Sequence, residues 1–221
     1  MKVAVCLSGQ LRSFKRSYES LYNNIIEPTE ADVYVYAWNF ETKEDNEVTK
    51  RFSEDGSIEE FLNLYSPKEC ILEDCERFLS DKNFDFPTKA PETIADRMMC
   101  MFYTNLKCYE QAGQNDYDII FRCRTEIEYE RPISTDDLNM AQESLIIPKG
   151  LDGRDGYQDS FAFGTSENMK TYSSVYDKIP EYSDDNIMIH PEFILKHHLK
   201  QNKVPIERIE FPMLLRGKRY A

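Results

Sequence analysis

The sequence predicts an α/β fold, in which a mixed but mostly parallel, Rossmann-like sheet is flanked by helices. Three apolar runs rich in β-branched residues carry this prediction, at residues 2–7, 32–38 and 119–121. Such runs are typical of strands that are buried on both faces of a sheet. Segments with helical periodicity separate them, which favours right-handed βαβ units with parallel strands. With 221 residues, the chain has the length of one domain with a sizeable core.

The composition indicates a globular protein and argues against two classes of binder. Hydrophobic residues make up 41% of the chain and charged residues 30%, which is typical of folded chains. The formal net charge is -13. General binding of nucleic acid or of anionic membranes needs a basic surface, so we expect neither partner. A local basic pocket for a small anionic ligand is compatible with this net charge.

The sequence also favours a cytoplasmic protein without a membrane span. The apolar run at the amino terminus is too short for a signal peptide, and no other segment is long and apolar enough to cross a bilayer. The six cysteines include no Cys-x-x-Cys pair. We therefore expect reduced thiols rather than a disulfide framework.

The first strand, at residues 2–7, leads directly into a glycine turn. Ser8, Gly9 and Gln10 follow the strand, and a helix is predicted over residues 13–26, with Pro28 marking its end. A strand, a glycine turn and a helix together can offer backbone amides to a phosphate. A tight turn with Arg12 in solvent explains the same residues equally well.

The sequence predicts a second strand and, between it and the central strand, a series of helices and loops. A second strand is predicted over Asp32–Trp38, and the longest helix over residues 93–112, with Gly113 as its C-cap. Between them the sequence predicts, in order, a polar loop (40–56), a short helix (58–65), a third strand (70–72) and an irregular segment (77–91).

The central strand is followed by charged residues at alternate positions. The apolar run at residues 119–121 continues into Arg122, Arg124, Glu126 and Glu128. In an extended chain these four side chains share one face. They either pair with each other, or they bind a phosphorylated ligand through the arginines and a divalent metal through the carboxylates.

The last third of the chain contributes further candidate residues. Asp159 lies between a glycine-rich loop and a strand, Glu192 lies in the first turn of a helix, and His198 lies near the end of that helix. The helix dipole alone explains Glu192, and a histidine at a helix end is more often structural than a ligand. The predicted elements are a strand (145–147), a loop (149–157), a strand (158–164), a helix (165–176) with Ser166 as N-cap, a helix (190–201), a strand (204–211) and a basic tail (215–220).

Six segments in the same order resemble one protein family. They are KVAVCLSGQLR (2–12), ADVYVYAWN (31–39), MFYTNLKC (101–108), YDIIFRCRTEIE (117–128), YQDSFAFG (157–164) and PEFILKHHL (191–199). This set resembles the small GT-A-type glycosyltransferase-like proteins of bacteria and large DNA viruses, including WavE-type lipopolysaccharide-synthesis proteins. That family commonly has Arg-x-Asp at the end of the central strand, where GT-A enzymes have a metal-binding Asp-x-Asp. Here Arg124-Thr125-Glu126 and Glu126-Ile127-Glu128 stand at that place.

The resemblance implies a single GT-A-like domain over residues 1–221 that transfers sugar from a nucleotide-sugar donor to a glycan or another hydroxyl acceptor. Residues 1–130 would form the donor half, and residues 131–221 the acceptor half with the tail. The leaving diphosphate needs a divalent ion or fixed cations, since negative charge develops on it. The implied donor-binding residues are Ser8, Gly9, Gln10, Arg12, Arg124 and Arg216.

The same resemblance implies a metal site and a general base. Mn²⁺ or Mg²⁺ would be held by Glu126, with Glu128 or His198 as further ligands. Asp159 is the first candidate for the base that deprotonates the acceptor, and Glu192 the second. A non-catalytic nucleotide- or glycan-binding protein on the same scaffold is the main alternative. A nucleotidyl- or phosphotransferase is another, although the sequence has no P-loop.

Overall fold

A computed structural model describes residues 1–39, 56–81, 92–150, 152–185, 187–215 and 218–220. Residues 40–55 of the predicted polar loop and residues 82–91 of the predicted irregular segment lie outside these ranges. In chain order, the strands are β1 (Val3–Gly9), β2 (Asp32–Trp38), β3 (Glu69–Glu73), β4 (Ile119–Cys123), β5 (Ile127–Tyr129), β6 (Leu145–Ile146), β7 (Phe161–Thr165), β8 (Ile206–Glu207), β9 (Met213–Leu215) and β10 (Lys218–Tyr220).

Seven of these strands form the main sheet, in the order β3-β2-β1-β4-β7-β6-β8. Strands β3, β2, β1 and β4 are mutually parallel, β7 is antiparallel to both of its neighbours, and β8 is parallel to β6. The predicted mixed, mostly parallel Rossmann-like sheet is therefore confirmed. Strands from both predicted halves of the chain, before and after residue 130, belong to this one sheet.

The strand order places the ends of β1 and β4 next to each other. The chain runs outward from β1 to β2 and β3 on one side, and continues with β4 on the other side of β1. Leu7 lies opposite Cys123 in the parallel ladder, so the chain leaves both strands at the same edge. Such a reversal of strand order is where open α/β sheets usually bind their ligands. Because Phe161 pairs with Cys123, the beginning of antiparallel β7 lies at this edge as well.

Helices cover both faces of the main sheet. Side chains alternate along β1, so Val3, Val5 and Leu7 face one core layer, and Ala4 and Cys6 face the other. Each layer is apolar and almost fully buried, and its burial is the main source of stability. In chain order, the helices are α1 (Phe14–Leu21), α2 (Glu27–Thr29), α3 (Ile58–Tyr65), α4 (Cys75–Asp81), α5 (Glu92–Ala112), α6 (Thr135–Glu143), α7 (Ser166–Ser173), α8 (Val175–Asp184) and α9 (Pro191–Gln201).

A second, three-stranded antiparallel sheet lies beside the main one, in the order β10-β9-β5. Its strand β5 follows β4 after a short turn and pairs with β9 through Ile127 and Leu215. The prediction of one strand over residues 204–211 is wrong, because only Ile206–Glu207 is a strand there. The chain then crosses to the second sheet, where it forms β9 and β10.

Two helix predictions are corrected by local hydrogen bonding. Residues 77–81 are helical rather than irregular, because Asp74 Oδ1 accepts hydrogen bonds from the amides of Glu76 and Arg77 and so starts α4. The N-cap of α7 is Thr165 instead of Ser166, since the Thr165 hydroxyl accepts from the amide of Asn168 at 3.2 Å. The first helix also differs from the prediction: α1 is followed by a π-helical turn over Tyr22–Ile26 and then by α2. Pro28, predicted to mark the helix end, lies in the first turn of α2, where proline is tolerated.

Candidate functional site

The turn after β1 is built around Gly9 and is fastened to the end of β4. Gly9 has a φ of 102°, a backbone conformation that residues with a side chain rarely adopt. Space is not the reason for glycine here, since an added methyl group would meet no atom closer than 4.0 Å. The hydroxyl of Thr125 donates to the carbonyl oxygens of Gln10 and Arg12, at 3.2 and 3.0 Å. Next to Gly9, the buried hydroxyl of Ser8 has no hydrogen-bond partner among the described residues. The turn therefore places backbone at the sheet edge, with the buried Ser8 hydroxyl next to it.

Glu126 lies between two arginines at this edge. Arg12 Nε is 2.8 Å from Glu126 Oε2, and Arg124 Nη2 donates to Glu126 Oε1. The Glu126 side chain is only 1% exposed, whereas the side chains of Arg12 and Arg124 are 21% and 22% exposed. Part of each arginine side chain is therefore exposed, whereas the carboxylate is enclosed between them.

The predicted common face of residues 122–128 is wrong for Glu128. The chain turns at Thr125 and Glu126, and the Ser17 hydroxyl donates to the carbonyl of Thr125. Glu128 then lies on β5 in the second sheet, where it pairs with Arg16 at 2.8 Å. The structure thus separates the two glutamates that the sequence placed together as a Glu-x-Glu pair.

Asp159 is held at the same edge by a buried glutamine that the sequence analysis did not select. Gln158 is 1% exposed, and its Oε1 accepts from the Ser160 amide at 3.0 Å, the Ser160 hydroxyl at 2.6 Å and the Phe161 amide at 3.1 Å. Arg122, also fully buried, donates to the carbonyl of Ser160 at 3.2 Å. These bonds shape the turn so that Asp159 Oδ1 lies 3.8 Å from Arg124 Nη1.

Glu192 reaches the site from the first turn of α9. The amide of Tyr157 donates to the carbonyl of Glu192 at 2.9 Å, which fastens the glycine-rich loop to this helix. Burial, and next the negative charge of Asp159, raise the pKa of Glu192. His190, which the sequence analysis did not select either, lies with Nδ1 2.7 Å from Glu192 Oε2. Three carboxylates, those of Glu126, Asp159 and Glu192, therefore lie at one edge with an imidazole and two guanidinium groups.

No protein-family model matches this chain, and no curated protein matches its sequence.

The other candidate residues lie elsewhere. His198 is 2% exposed, and its ring contacts the hydroxyl of Tyr182 at 2.7 Å, the hydroxyl of Ser174 at 3.2 Å and the carbonyl of Thr171 at 2.9 Å. Burial lowers its pKa. These contacts indicate a neutral histidine that joins helices α7, α8 and α9 in the core. The remaining candidate, Arg216, lies outside the described residues.

The described residues do not fit a divalent metal. Within the described ranges, no group of three or more His, Cys, Asp or Glu side chains could hold an ion. Both oxygens of Glu126 face guanidinium groups, and Glu128 pairs with Arg16 instead. The expected Mn²⁺ or Mg²⁺ stays a prediction, and this edge offers fixed cations instead.

Among the described helices, none combines the length and the apolar character needed to cross a membrane.

The raised pKa of Glu192 predicts how its replacement changes stability with pH. The folded state binds this proton more tightly than the unfolded state, so the ionised carboxylate reduces stability at neutral pH. We expect Glu192→Gln to raise the melting temperature at pH 7, and this gain to disappear as the pH falls through the folded pKa to the unfolded value. Thermal unfolding between pH 7.5 and pH 4 measures the difference.

Glu167→Gln provides the control, because Glu167 is an exposed carboxylate in the first turn of α7. Its removal should lower the melting temperature slightly, since only the favourable interaction with the helix N-terminus is lost. A Glu192→Gln variant that is less stable than the parent protein at pH 7 would contradict the expected pKa shift.

Proposed function

We propose that this protein is a glycosyltransferase that moves a sugar from a nucleotide-sugar donor to a hydroxyl group of a glycan or another acceptor. The observation that carries the proposal is the meeting of the Gly9 turn with Arg12 and Arg124 at the point where the strand order reverses. An open α/β sheet usually binds its ligand at such a point. Backbone groups and guanidinium groups there suit a diphosphate.

The arginines are the proposed counter-charges of the leaving diphosphate. When the acceptor oxygen bonds to the anomeric carbon, the bond from that carbon to the diphosphate breaks, and the negative charge moves onto the phosphate oxygens. Guanidinium groups of Arg12 and Arg124 would stabilise this charge, since they are partly exposed and already fixed by Glu126. Ser8 would donate its unsatisfied hydroxyl to the donor.

Glu192 is a better candidate than Asp159 for the general base. Burial and the neighbouring Asp159 raise the pKa of Glu192 above its ordinary value, which makes its carboxylate a stronger base. Asp159 Oδ1 lies 3.8 Å from Arg124 Nη1, so this carboxylate already has an ion-pair partner. We therefore propose that Glu192 accepts the acceptor's proton and that Asp159 maintains its basicity. His190 would hold the Glu192 carboxylate in place.

Donor binding is the direct test of this proposal. The purified protein is titrated with nucleoside diphosphates and a panel of nucleotide sugars, with and without Mn²⁺, and the melting temperature is measured. We expect at least one of them to raise it, and Arg124→Ala to weaken that binding about 10- to 100-fold, since a charged hydrogen bond contributes about 1.5–3 kcal/mol.

Arg16→Ala is the matched control. Arg16 also pairs with a glutamate, but at the second sheet, and its side chain is 55% exposed. Its replacement should leave donor binding unchanged. If no nucleotide or nucleotide sugar stabilises the parent protein, or if the two variants bind equally, the donor site is not at Arg124.

A non-catalytic binding protein on the same scaffold is the second candidate. The observation that favours it is the enclosed Glu126, which already pairs with both arginines that a donor diphosphate would need and offsets part of their charge. Release of sugar from a bound donor, to water or to an acceptor, distinguishes the two. Binding without any turnover over a broad acceptor panel would support the second candidate.

A further inference from the structure

Two cysteine thiols from different helices are in contact beside the candidate site. Cys75 Sγ, at the beginning of α4, is 3.3 Å from Cys100 Sγ, in the middle of α5. The two residues are 25 positions apart in the chain. Cys75 is partly exposed and Cys100 is nearly buried. A thiol that a small reagent can reach therefore lies against a second thiol that is shielded.

The other four cysteines lack this arrangement. Cys6, Cys108 and Cys123 are completely buried in the core. Cys70 is partly exposed on the edge strand β3, and burial raises its pKa to about 11. A thiol with so high a pKa contains little of the reactive thiolate at neutral pH. Cys70 thus offers a natural comparison for Cys75, with similar exposure but without a thiol contact in the described ranges.

We propose that Cys75 and Cys100 are a modification site, at which exchange with a small-molecule disulfide such as oxidised glutathione forms a reversible intramolecular disulfide. The Cys75 thiolate attacks one sulfur of oxidised glutathione, forms a mixed disulfide and releases one glutathione thiolate. The Cys100 thiolate then attacks the Cys75 sulfur and releases the second glutathione thiolate. The protein loses two electrons and two protons, and the oxidised glutathione becomes two reduced glutathione molecules.

The disulfide would fasten a cluster of aromatic side chains next to the sheet edge. Phe78 and Tyr103 each lie one helical turn after a cysteine of the pair, and their ring centroids are 4.4 Å apart. Trp38, at the end of β2, packs on both, with centroid distances of 5.3 and 5.9 Å. A covalent bond between α4 and α5 would therefore restrain the surroundings of Trp38, which is the single tryptophan of the chain.

Oxidation of the full-length protein with oxidised glutathione tests this inference. Intact mass spectrometry should show the loss of two hydrogen atoms without added glutathione, and peptide mapping should join the peptides that contain Cys75 and Cys100. The melting temperature should rise by about 5–10 °C, because the disulfide closes a loop of 25 residues. Tryptophan fluorescence should change on oxidation, and reductant should reverse all of these effects.

Three variants decide between the possible outcomes. Cys75→Ser and Cys100→Ala should each abolish the loss of two hydrogens and the rise in melting temperature, whereas Cys70→Ser should leave both intact. Two results would overturn the inference: stable addition of glutathione to the parent protein without closure, or the same closure in Cys75→Ser. Either Cys75→Ser or Cys100→Ala alone is enough for the test. If one of them fails to fold, the other still gives the result.

Discussion

Replacing Glu126 with glutamine is expected to destabilise the protein by about 3 kcal/mol, the lower part of the range for breaking a buried ion pair. The Glu126 side chain is 1% exposed and contacts Arg12 and Arg124. Glutamine keeps the size of the side chain but removes the negative charge that pairs with both guanidinium groups. Because the arginines are partly exposed, water compensates some of this loss. The melting temperature should fall by roughly 6–12 °C.

The variant should also bind anions more strongly than the parent protein. Without the carboxylate, Arg12 and Arg124 attract another anion, so inorganic phosphate should recover part of the lost stability in Glu126→Gln and have a smaller effect on the parent protein. Urea unfolding with and without phosphate measures this difference. Glu128→Gln is the control, since it breaks the more exposed pair with Arg16 and should change stability by less than about 0.5 kcal/mol. If Glu126→Gln and Glu128→Gln lose the same stability, the buried pairs of Glu126 contribute no more than the exposed pair of Glu128.

Replacing Gly156 with alanine should have an effect of similar size. A methyl group at Gly156 would lie 2.1 Å from the carbonyl carbon of Glu192 and 2.5 Å from the amide nitrogen of Phe193. Both atoms belong to the backbone at the start of α9, so a side-chain rotation cannot relieve the clash. We expect a loss of about 3 kcal/mol, at the upper end of the range for overpacked sites, measured by chemical unfolding. The glycine-rich loop would separate from the helix and displace Glu192.

Gly164→Ala shows whether this effect is specific. A methyl group there would have its nearest neighbour at 3.4 Å, an ordinary van der Waals distance, so we expect a change below about 1 kcal/mol. If the Gly156 variant is as stable as the Gly164 variant, the loop does not pack on α9 as the structure has it.

The predictions from sequence were most accurate where one local pattern determines the element. The strand over Asp32–Trp38 and the helix over Ile58–Tyr65 have the predicted bounds, because their apolar spacing and flanking residues agree. The short strand β8 (Ile206–Glu207) and the N-cap of α7 could not be predicted this way. Their positions depend on which neighbouring strand or side chain provides hydrogen bonds.

The candidate site was predictable as a set of charged residues at strand ends, but not as an arrangement. Arg124 and Asp159 were selected from sequence, and they meet because β7 runs antiparallel to β4. Gln158 and His190 were missed, since a glutamine before a strand and a histidine before a helix are common surface residues. The role of Gln158 follows from its burial and its hydrogen bonds to Ser160 and Phe161, and that of His190 from its contact with Glu192. Neither has a local signal in the sequence.

The sequence by itself determined the alternation of strands and helices and the charged residues that end the strands, since both depend on side chains close together in the chain. Only the tertiary structure decided which charges meet. Arg12 and Glu126 are 114 positions apart, and the neighbouring positions of β1 and β4 bring them together. The turn at Thr125 likewise directs Glu126 into the site and Glu128 to Arg16. Charge interactions weaken with distance and depend on burial. The order of the strands, which no short segment specifies, therefore determines the chemistry of this edge.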